Sequence, residues 1–345
     1  MNVVVSTPDA IVTAAQALEV GRLVAFPTET VYGLGADAEN PAAVADIYKA
    51  KGRPSDHPVI VHVAPGADIR YWAKDIPHEA DQLIAAFWPG PLTLILKRAD
   101  HIPDAVSGGQ DTVGIRCPSH PVAQQLLLAF KNGKGGVAAP SANKFGHVSP
   151  TLAQHVAEEF AQEILPGSLI AAVLDGGQSE VGIESTIVDL SRLATHGPVL
   201  LRPGQISTAQ LAEVLGVTPA SPDAAAPRAS GTLDAHYAPQ TPVVQVALAE
   251  LDNVAAQLQA KGKTIALLCY QLHPGIVALA VRQLPADAAG YAHDLYAGLR
   301  ELDHAHADLI LVEAIPQDKE WLGVNDRLRR AAFDSRDVLQ KILQA

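Results

Sequence analysis

The residues best equipped for chemistry sit in short polar stretches that close apolar, strand-like runs. The run Leu23-Val24-Ala25-Phe26 stops at Pro27 and is followed by Thr28, Glu29 and Thr30, then Tyr32-Gly33-Leu34-Gly35. A buried strand that ends in hydroxyls and glycines can present backbone donors and small polar groups to a ligand. Gly33 and Gly35 allow a positive φ or close approach of a ligand to the backbone. Lys51-Gly52-Arg53 sets two cations around a glycine. One reading is a phosphate clamp, with Lys51 as a point charge and Arg53 as a bidentate fork. The other is a helix end, with cations on the dipole and glycine as the stop.

Similar groups recur downstream. Thr112 and Arg116 are four apart in TVGIRCP and share one face of a strand. A lone buried arginine is costly, so Arg116 needs either a structural carboxylate or an acidic ligand. His62, inside VIVHV, is either a satisfied core histidine or a carboxylate binder. Ser141 and Asn143 follow a short apolar strand, Ser185 opens another and Arg202 closes a third. Taken singly, such residues make turns and caps. Together, at the strand ends of one α/β domain, they suggest a common cleft. The sequence holds no GxSxG, no HExxH, no GxxxxGK[ST] and no cysteine–histidine pairing. Chemistry by positioning and charge neutralisation, as in phosphoryl and nucleotidyl transfer, fits better.

The elements that must position these residues follow from periodicity. Helices are predicted from Asp9 to Gly21, over Pro41–Lys51, Ala80–Phe87, Pro121–Phe130 and Leu152–Phe160. Strands are predicted over 23–26, Val59–Val63, Leu92–Leu96, Val113–Arg116, Val137–Ala139, Ala171–Leu174, Ser185–Leu190 and Val199–Arg202. This alternation makes an α/β domain with a mixed, twisted sheet flanked by helices. Composition changes after about Thr218, where TPASPDAAAPRASGTLDAHYAPQTP reads as a linker. Beyond it, strands near 243–246, 264–269 and 309–312 alternate with helices over Val254–Ala260, Tyr291–His304 and Asn325–Leu343. That is a second, smaller Rossmann-like α/β domain. The expected division is 1–206, a linker over 207–242, and 243–345.

Bulk properties narrow the function classes. A hydrophobic content of 48% against 18% charged residues describes an ordinary globular chain. A net charge of −12 argues against stable nonspecific binding to nucleic acid. The two cysteines, Cys117 and Cys269, form no disulfide framework or zinc spacing, so a reducing cytoplasm is expected. The opening MNVVVSTPDA lacks the pattern of a signal peptide, and no apolar stretch approaches about 18 residues, so no membrane contact is expected.

In order along the chain stand FPTETVYGLG, KGRP, HPVIVHV, FWPGPLT, TVGIRCP, APSAN, GIESTIVD and LLRPG. This series resembles the YrdC-type domain of threonylcarbamoyl-AMP synthases and covers roughly residues 6–206. HYAP in the linker and NDRL at Asn325–Leu328 resemble the long form, which carries an extra C-terminal α/β domain. The resemblance implies that L-threonine, bicarbonate and ATP, the last with magnesium, give L-threonylcarbamoyladenylate and pyrophosphate. The product serves the threonylcarbamoyladenosine modification of tRNA beside the anticodon, through a separate transferase complex. Thr30, His62, Arg116, Ser141 and Ser185 match threonine-side positions. Lys51, Arg53, Thr112, Asn143 and Arg202 match ATP-side positions, with Lys51 and Arg53 helping pyrophosphate leave. Ser149 or Thr151 would touch the nucleotide, His57 stands where many members have Asn, and Tyr237 matches a linker tyrosine that reaches over the pocket. The linker is expected to act as a lid. Two other classes are an RNA-binding or ribosome-associated factor and a carbamoyltransferase accessory domain. The acidic charge disfavours the first, and missing zinc fingers and an acylphosphatase-like segment count against the second.

Overall fold

The computed structural model describes residues 3–335 and 337–344. Two compact units are present: Met1–Phe145 with Pro150–Thr232, and Gly146–Ser149 with Leu233–Ala345.

In the first unit, local signals start and stop the helices as their residue types dictate. Helix α1 (Pro8–Glu19) follows β1 (Val3–Val5), has proline in its first turn, and is capped by Thr7, which accepts from Ala10 N. Its buried face is Ile11, Ala14, Ala15 and Leu18. After β2 (Leu23–Phe26) and β3 (Gly33–Asp37), Asn40 caps α2 (Pro41–Lys51), and Gly52 ends it at φ 63. Then come β4 (Ile60–Val63), β5 (Ala73–Lys74), α3 (His78–Phe87), β6 (Leu92–Arg98), α4 (Asp104–Ser107) and β7 (Thr112–Arg116). The unit continues with α5 (Pro121–Ala129), β8 (Gly136–Ala138), α6 (Ala153–Glu159), β9 (Ile170–Asp175), β10 (Thr186–Asp189), α7 (Leu193–His196), β11 (Val199–Arg202) and α8 (Thr208–Leu215).

These strands form one mixed sheet in the order β1-β9-β2-β3-β8-β4-β7-β6-β10-β11, with β5 on β6. Its two faces differ. Val61, Val63, Val113, Ile115, Leu94 and Leu96 point to a core that includes Ile47 of α2, Leu83 of α3 and Leu211 of α8. On the opposite face helices cover one end, where α1 and α5 pack on Val24, Phe26, Val137 and Leu174. Over β4, β7, β6 and β10 that second face carries Ile60, His62, Thr112, Gly114, Arg116, Thr93 and Ile95.

Two expectations change. Gly33 and Gly35, read as allowing a positive φ or close approach of a ligand, belong to β3, antiparallel to both β2 and β8. Neither glycine has positive φ. A Cβ on Gly35 would lie 2.7 Å from Val137 Cγ1 and 2.9 Å from Phe26 Cε1, so the glycines make room for neighbouring side chains. Within 207–242, Ser207 starts helix α8 through a reciprocal capping box with Gln210.

The second unit holds β12 (Val243–Val246), α9 (Leu248–Ala260), β13 (Ile265–Cys269), β14 (Ala280–Gln283), α10 (Ala288–Asp303), β15 (Leu309–Glu313), α11 (Leu322–Ala331) and α12 (Val338–Gln344). Its sheet is parallel, in the order β12-β15-β13-β14. The single helix expected over Asn325–Leu343 is two, separated by a 3-10 turn at Phe333–Ser335.

Candidate functional site

The second sheet face of the first unit gathers two polar clusters. The first forms where the β2–β3 loop meets the end of β7. In that loop Thr28 Oγ1 donates to Val31 O at 2.6 Å, which ties the turn to itself. Glu29 O accepts from Val181 N at 2.7 Å. The fixed turn holds Thr30 and Glu29 against Arg116. Arg116 Nη1 donates to Thr30 Oγ1 at 2.8 Å, and Nη2 lies 2.6 Å from Glu29 Oε1. Both charged side chains are buried, at 4% and 3% exposure, so this is an interior ion pair. Ser119 N donates to Glu29 Oε2 at 3.1 Å.

His62 on β4 stands beside Arg116 in the parallel register of β4 and β7. Its Nδ1 donates to Ile60 O at 3.2 Å, which leaves Nε2 as the ring's lone-pair nitrogen. Burial, and then the Arg116 charge, push its pKa down to about 3. His62 is therefore neutral at working pH.

The second cluster surrounds Arg202 at the end of β11. Its Nε donates to Ser185 O at 3.0 Å and its Nη2 to Ser185 Oγ at 3.1 Å. Ser185 Oγ in turn is 2.8 Å from Thr93 Oγ1. Thr93 is one step along β6 from Leu94, which faces Ile115, so its row meets Arg116. The two clusters thus share one row of the sheet. Gly204 makes the tight return possible: a Cβ there would lie 2.5 Å from Thr186 N and 2.8 Å from Glu184 O.

Arg53, just past α2, donates to Pro58 O at 2.9 Å and to Ser230 Oγ at 3.4 Å. Arg202 Nη1 donates to Ser230 O at 2.7 Å. One residue of the Pro/Ala/Ser-rich stretch therefore links the two arginines. Around it, Ala226 and Ala229 pack on Ile60, Ile95, Ile187, Val199 and Leu201. Arg228 N donates to Gln110 Oε1 at 2.8 Å. The segment roofs the apolar strip, and the cavity left beneath it, beside Thr112 and Gly114, measures about 10 Å³.

Lys51 is fully buried, and its Nζ donates to Ser141 O at 2.6 Å and to Asn143 O. Burial, reinforced by Arg53, holds its pKa well below that of an ordinary lysine. Glu184 acts in the opposite sense, which places the GIEST turn near this ammonium. Asn143 Nδ2 donates to Lys144 O at 2.7 Å. His57 packs edge-on to Phe145 at 5.5 Å, and Arg53 lies over the same ring at 5.9 Å.

Thr30, His62, Arg116, Ser185, Arg202, Arg53 and Thr112 thus lie along one face, with Lys51, Ser141, Asn143 and His57 at the α2 end. Thr151 is different. Its N donates to His155 Nδ1 at 3.2 Å and its O accepts from Ser179 N at 3.0 Å. Ser149 and Tyr237 belong to the second unit. There Tyr237, at φ 61, lies under Arg327 at 5.5 Å and beside Tyr296 at 5.7 Å. Three residues were not singled out from sequence: Glu29, Phe145 and Ser230. For Glu29 the signal was present, a carboxylate between β-branched residues at the end of a buried strand.

Among the described residues no group of three or more His, Cys, Asp or Glu is placed to hold a metal ion. No described helix is long and apolar enough to cross a membrane. A mixed sheet that carries a buried arginine–glutamate pair and two further arginines on one face, beside an apolar strip, is the arrangement of an α/β protein. Residues 16–204 match the Sua5/YciO/YrdC family model, described as telomere recombination. Residues 206–333 match the C-terminal domain of threonylcarbamoyl-AMP synthase. The threonylcarbamoyl-AMP synthase of Pyrococcus abyssi is 38% identical over 92% of this chain and 93% of its own. A putative threonylcarbamoyl-AMP synthase of Mycobacterium tuberculosis is 42% identical over 61% of this chain and 91% of its own. The crystal structure of P. abyssi Sua5 complexed with L-threonine superposes with a TM-score of 0.86 at 36% identity, covering 95% of each chain. The chain belongs to the threonylcarbamoyl-AMP synthase family.

Proposed function

We propose that this protein makes L-threonylcarbamoyladenylate and pyrophosphate from L-threonine, bicarbonate and ATP. The observation that carries this is the single strip linking Arg116, Thr30 and His62 to Arg202 and Arg53, in a chain alike over its length to a relative crystallised with L-threonine. The M. tuberculosis relative covers 61% of this chain, which supports assigning the chemistry to the first unit.

Arg116 and Thr30 would hold the amino acid by its carboxylate, and neutral His62 would accept a hydrogen bond through Nε2. The amine, once deprotonated, adds to carbon dioxide derived from bicarbonate, forming a carbamate. A carbamate oxygen attacks the α-phosphorus, the bond to the β-phosphate oxygen breaks and pyrophosphate leaves. Arg53 and Arg202 would neutralise the leaving phosphates. Lys51 would hold the Ser141–Asn143 turn and add positive potential from behind it. Magnesium would enter as the salt of the nucleotide substrate, carried on the phosphates. Carbamates revert in water, so the Ala226–Ser230 roof would serve as the lid that keeps the strip dry. The product would pass to a separate transferase acting on tRNA in the cytoplasm.

The test is pyrophosphate release from ATP with each substrate omitted in turn. Release should require both L-threonine and bicarbonate. An equal rate without L-threonine overturns the assignment.

A further inference from the structure

The Glu29–Arg116 pair holds more hydrogen-bonding capacity than it uses. Their 2.6 Å contact is out of line with the N–H directions, and Glu29 Oε1, Arg116 Nη2 and Arg116 Nε have no hydrogen-bond partner although all three are buried. Buried charged groups left in this state are costly, and native structures keep few of them. Glu29 Oε2 is already engaged by Ser119 N, so the carboxylate is oriented with Oε1, in ion contact with Arg116 Nη2, still able to accept a hydrogen bond. Arg116 Nη1 is engaged by Thr30, so Nη2 and Nε remain free to donate.

We propose that Glu29 is the receptor for the α-ammonium group of the amino acid, and that Glu29 and Arg116 together recognise the substrate as a zwitterion. This rests on the assignment of the Arg116 cluster to the amino-acid substrate. In an α-amino acid the two charges flank one carbon, so their receptors must be neighbours. Arg116 and Glu29 meet that condition, with the ion pair at 2.6 Å. Charge balance supports it. His62 is held neutral by burial and by Arg116. The pocket's formal charge is then one positive and one negative, complementary to a ligand of zero net charge. With arginine alone the pocket would prefer an anion without an amine. Glu29 is thus a specificity-determining residue, distinct from a counter-ion that merely steadies Arg116.

The test compares binding of L-threonine with (2S,3R)-2,3-dihydroxybutanoate, which replaces the amine by a hydroxyl, to the full chain by titration calorimetry. The native chain should favour L-threonine by about 100-fold, and Glu29→Gln should reduce that preference to below about 10-fold, as expected for loss of a charge-assisted hydrogen bond. If Glu29 only steadies Arg116, Glu29→Gln weakens both ligands equally and the ratio stays, which overturns the inference. Absence of L-threonine binding to the native chain would instead overturn the substrate assignment. A crystal of the native chain with L-threonine tests the point without a variant. The amine nitrogen should lie within about 3.2 Å of Glu29 Oε1, and its placement beyond hydrogen-bond reach overturns the inference.

Discussion

Keeping His62 neutral has a thermodynamic consequence that can be measured. Its pKa falls from 6.5 to about 3 on folding, because burial and the Arg116 guanidinium both oppose a second positive charge. The unfolded chain therefore binds a proton that the folded chain refuses. Stability tied to this residue is complete above pH 6.5 and is lost as the pH falls toward the folded value. At about pH 4.5 the unfolded state is favoured by a few kcal/mol more than at about pH 7. The perturbation is His62→Gln, which removes the titration and retains a polar side chain. Urea unfolding of both proteins, followed through Trp72 and Trp88 of the first unit, gives the difference in stability at each pH. The variant should gain on the native chain by a few kcal/mol between about pH 7 and about pH 4.5. Parallel curves would mean that His62 ionises freely in the folded state. In direct support, the His62 ring signal in a carbon-13 NMR spectrum should not titrate over the same range.

Three further outcomes follow from the geometry. Lys51→Met removes a buried charge along with two hydrogen bonds to backbone carbonyls, so the melting temperature should hold or rise while pyrophosphate release falls at least about 100-fold; retained activity would reduce Lys51 to a tie for the Ser141–Asn143 turn. Gly204→Ala places a Cβ 2.5 Å from Thr186 N and 2.8 Å from Ser185 C, both backbone atoms, and should cost about 2 kcal/mol in thermal unfolding and weaken ATP binding through Ser185 and Arg202; native stability would mean the turn yields without strain. Burial, and then Glu29, push the Cys117 thiol up to about 11, so only about one molecule in a thousand is thiolate at about pH 8, and iodoacetamide should label Cys117 in denaturant but not in the native chain, as read by mass spectrometry.

How much of this was legible in the sequence depended on whether a residue's partners are local. Pro41 and Gly52 mark the ends of α2 because such signals act within three or four residues, whereas the cap of α1 falls at Thr7 and not at Asp9, where the sequence placed it. Arg116 and Thr112 declare a shared face because a strand alternates. Gly33 and Gly35 were open to a positive φ or close approach of a ligand; their place in β3 is decided by Phe26 and Val137, the latter about a hundred positions away. Ser230 lies in a stretch whose composition is that of a tether. Its value comes from crossing the sheet face where Arg53 and Arg202 converge, a fact of tertiary structure. Glu29 stands at the end of a buried strand between two threonines, a visible signal, but its partner Arg116 is 87 positions away and only the fold brings the two together.

The position of the roof explains why the strip beneath it is apolar. A carbamate is stable only while water and protons are kept away, and an acyl adenylate is lost to hydrolysis for the same reason. A site lined throughout with charged groups would draw water in along with the substrates. Here Arg116 with Glu29 and Arg53 with Arg202 flank the strip. Between them Ile60, Ile95 and Ile187 meet Ala226 and Ala229. Gly114 keeps the middle of the floor low, since a Cβ there would lie 3.1 Å from Ile95 Cδ1. On the proposed function the polar groups would select and orient, and the strip between them would exclude solvent. A Cβ at Gly114 would press on Ile95 and Ile60 in the floor, whereas a charge at Ala229 would bring a hydrated group into the roof. Those two changes should therefore fail differently, the first by weakening substrate binding and the second by uncoupling pyrophosphate release from product formed.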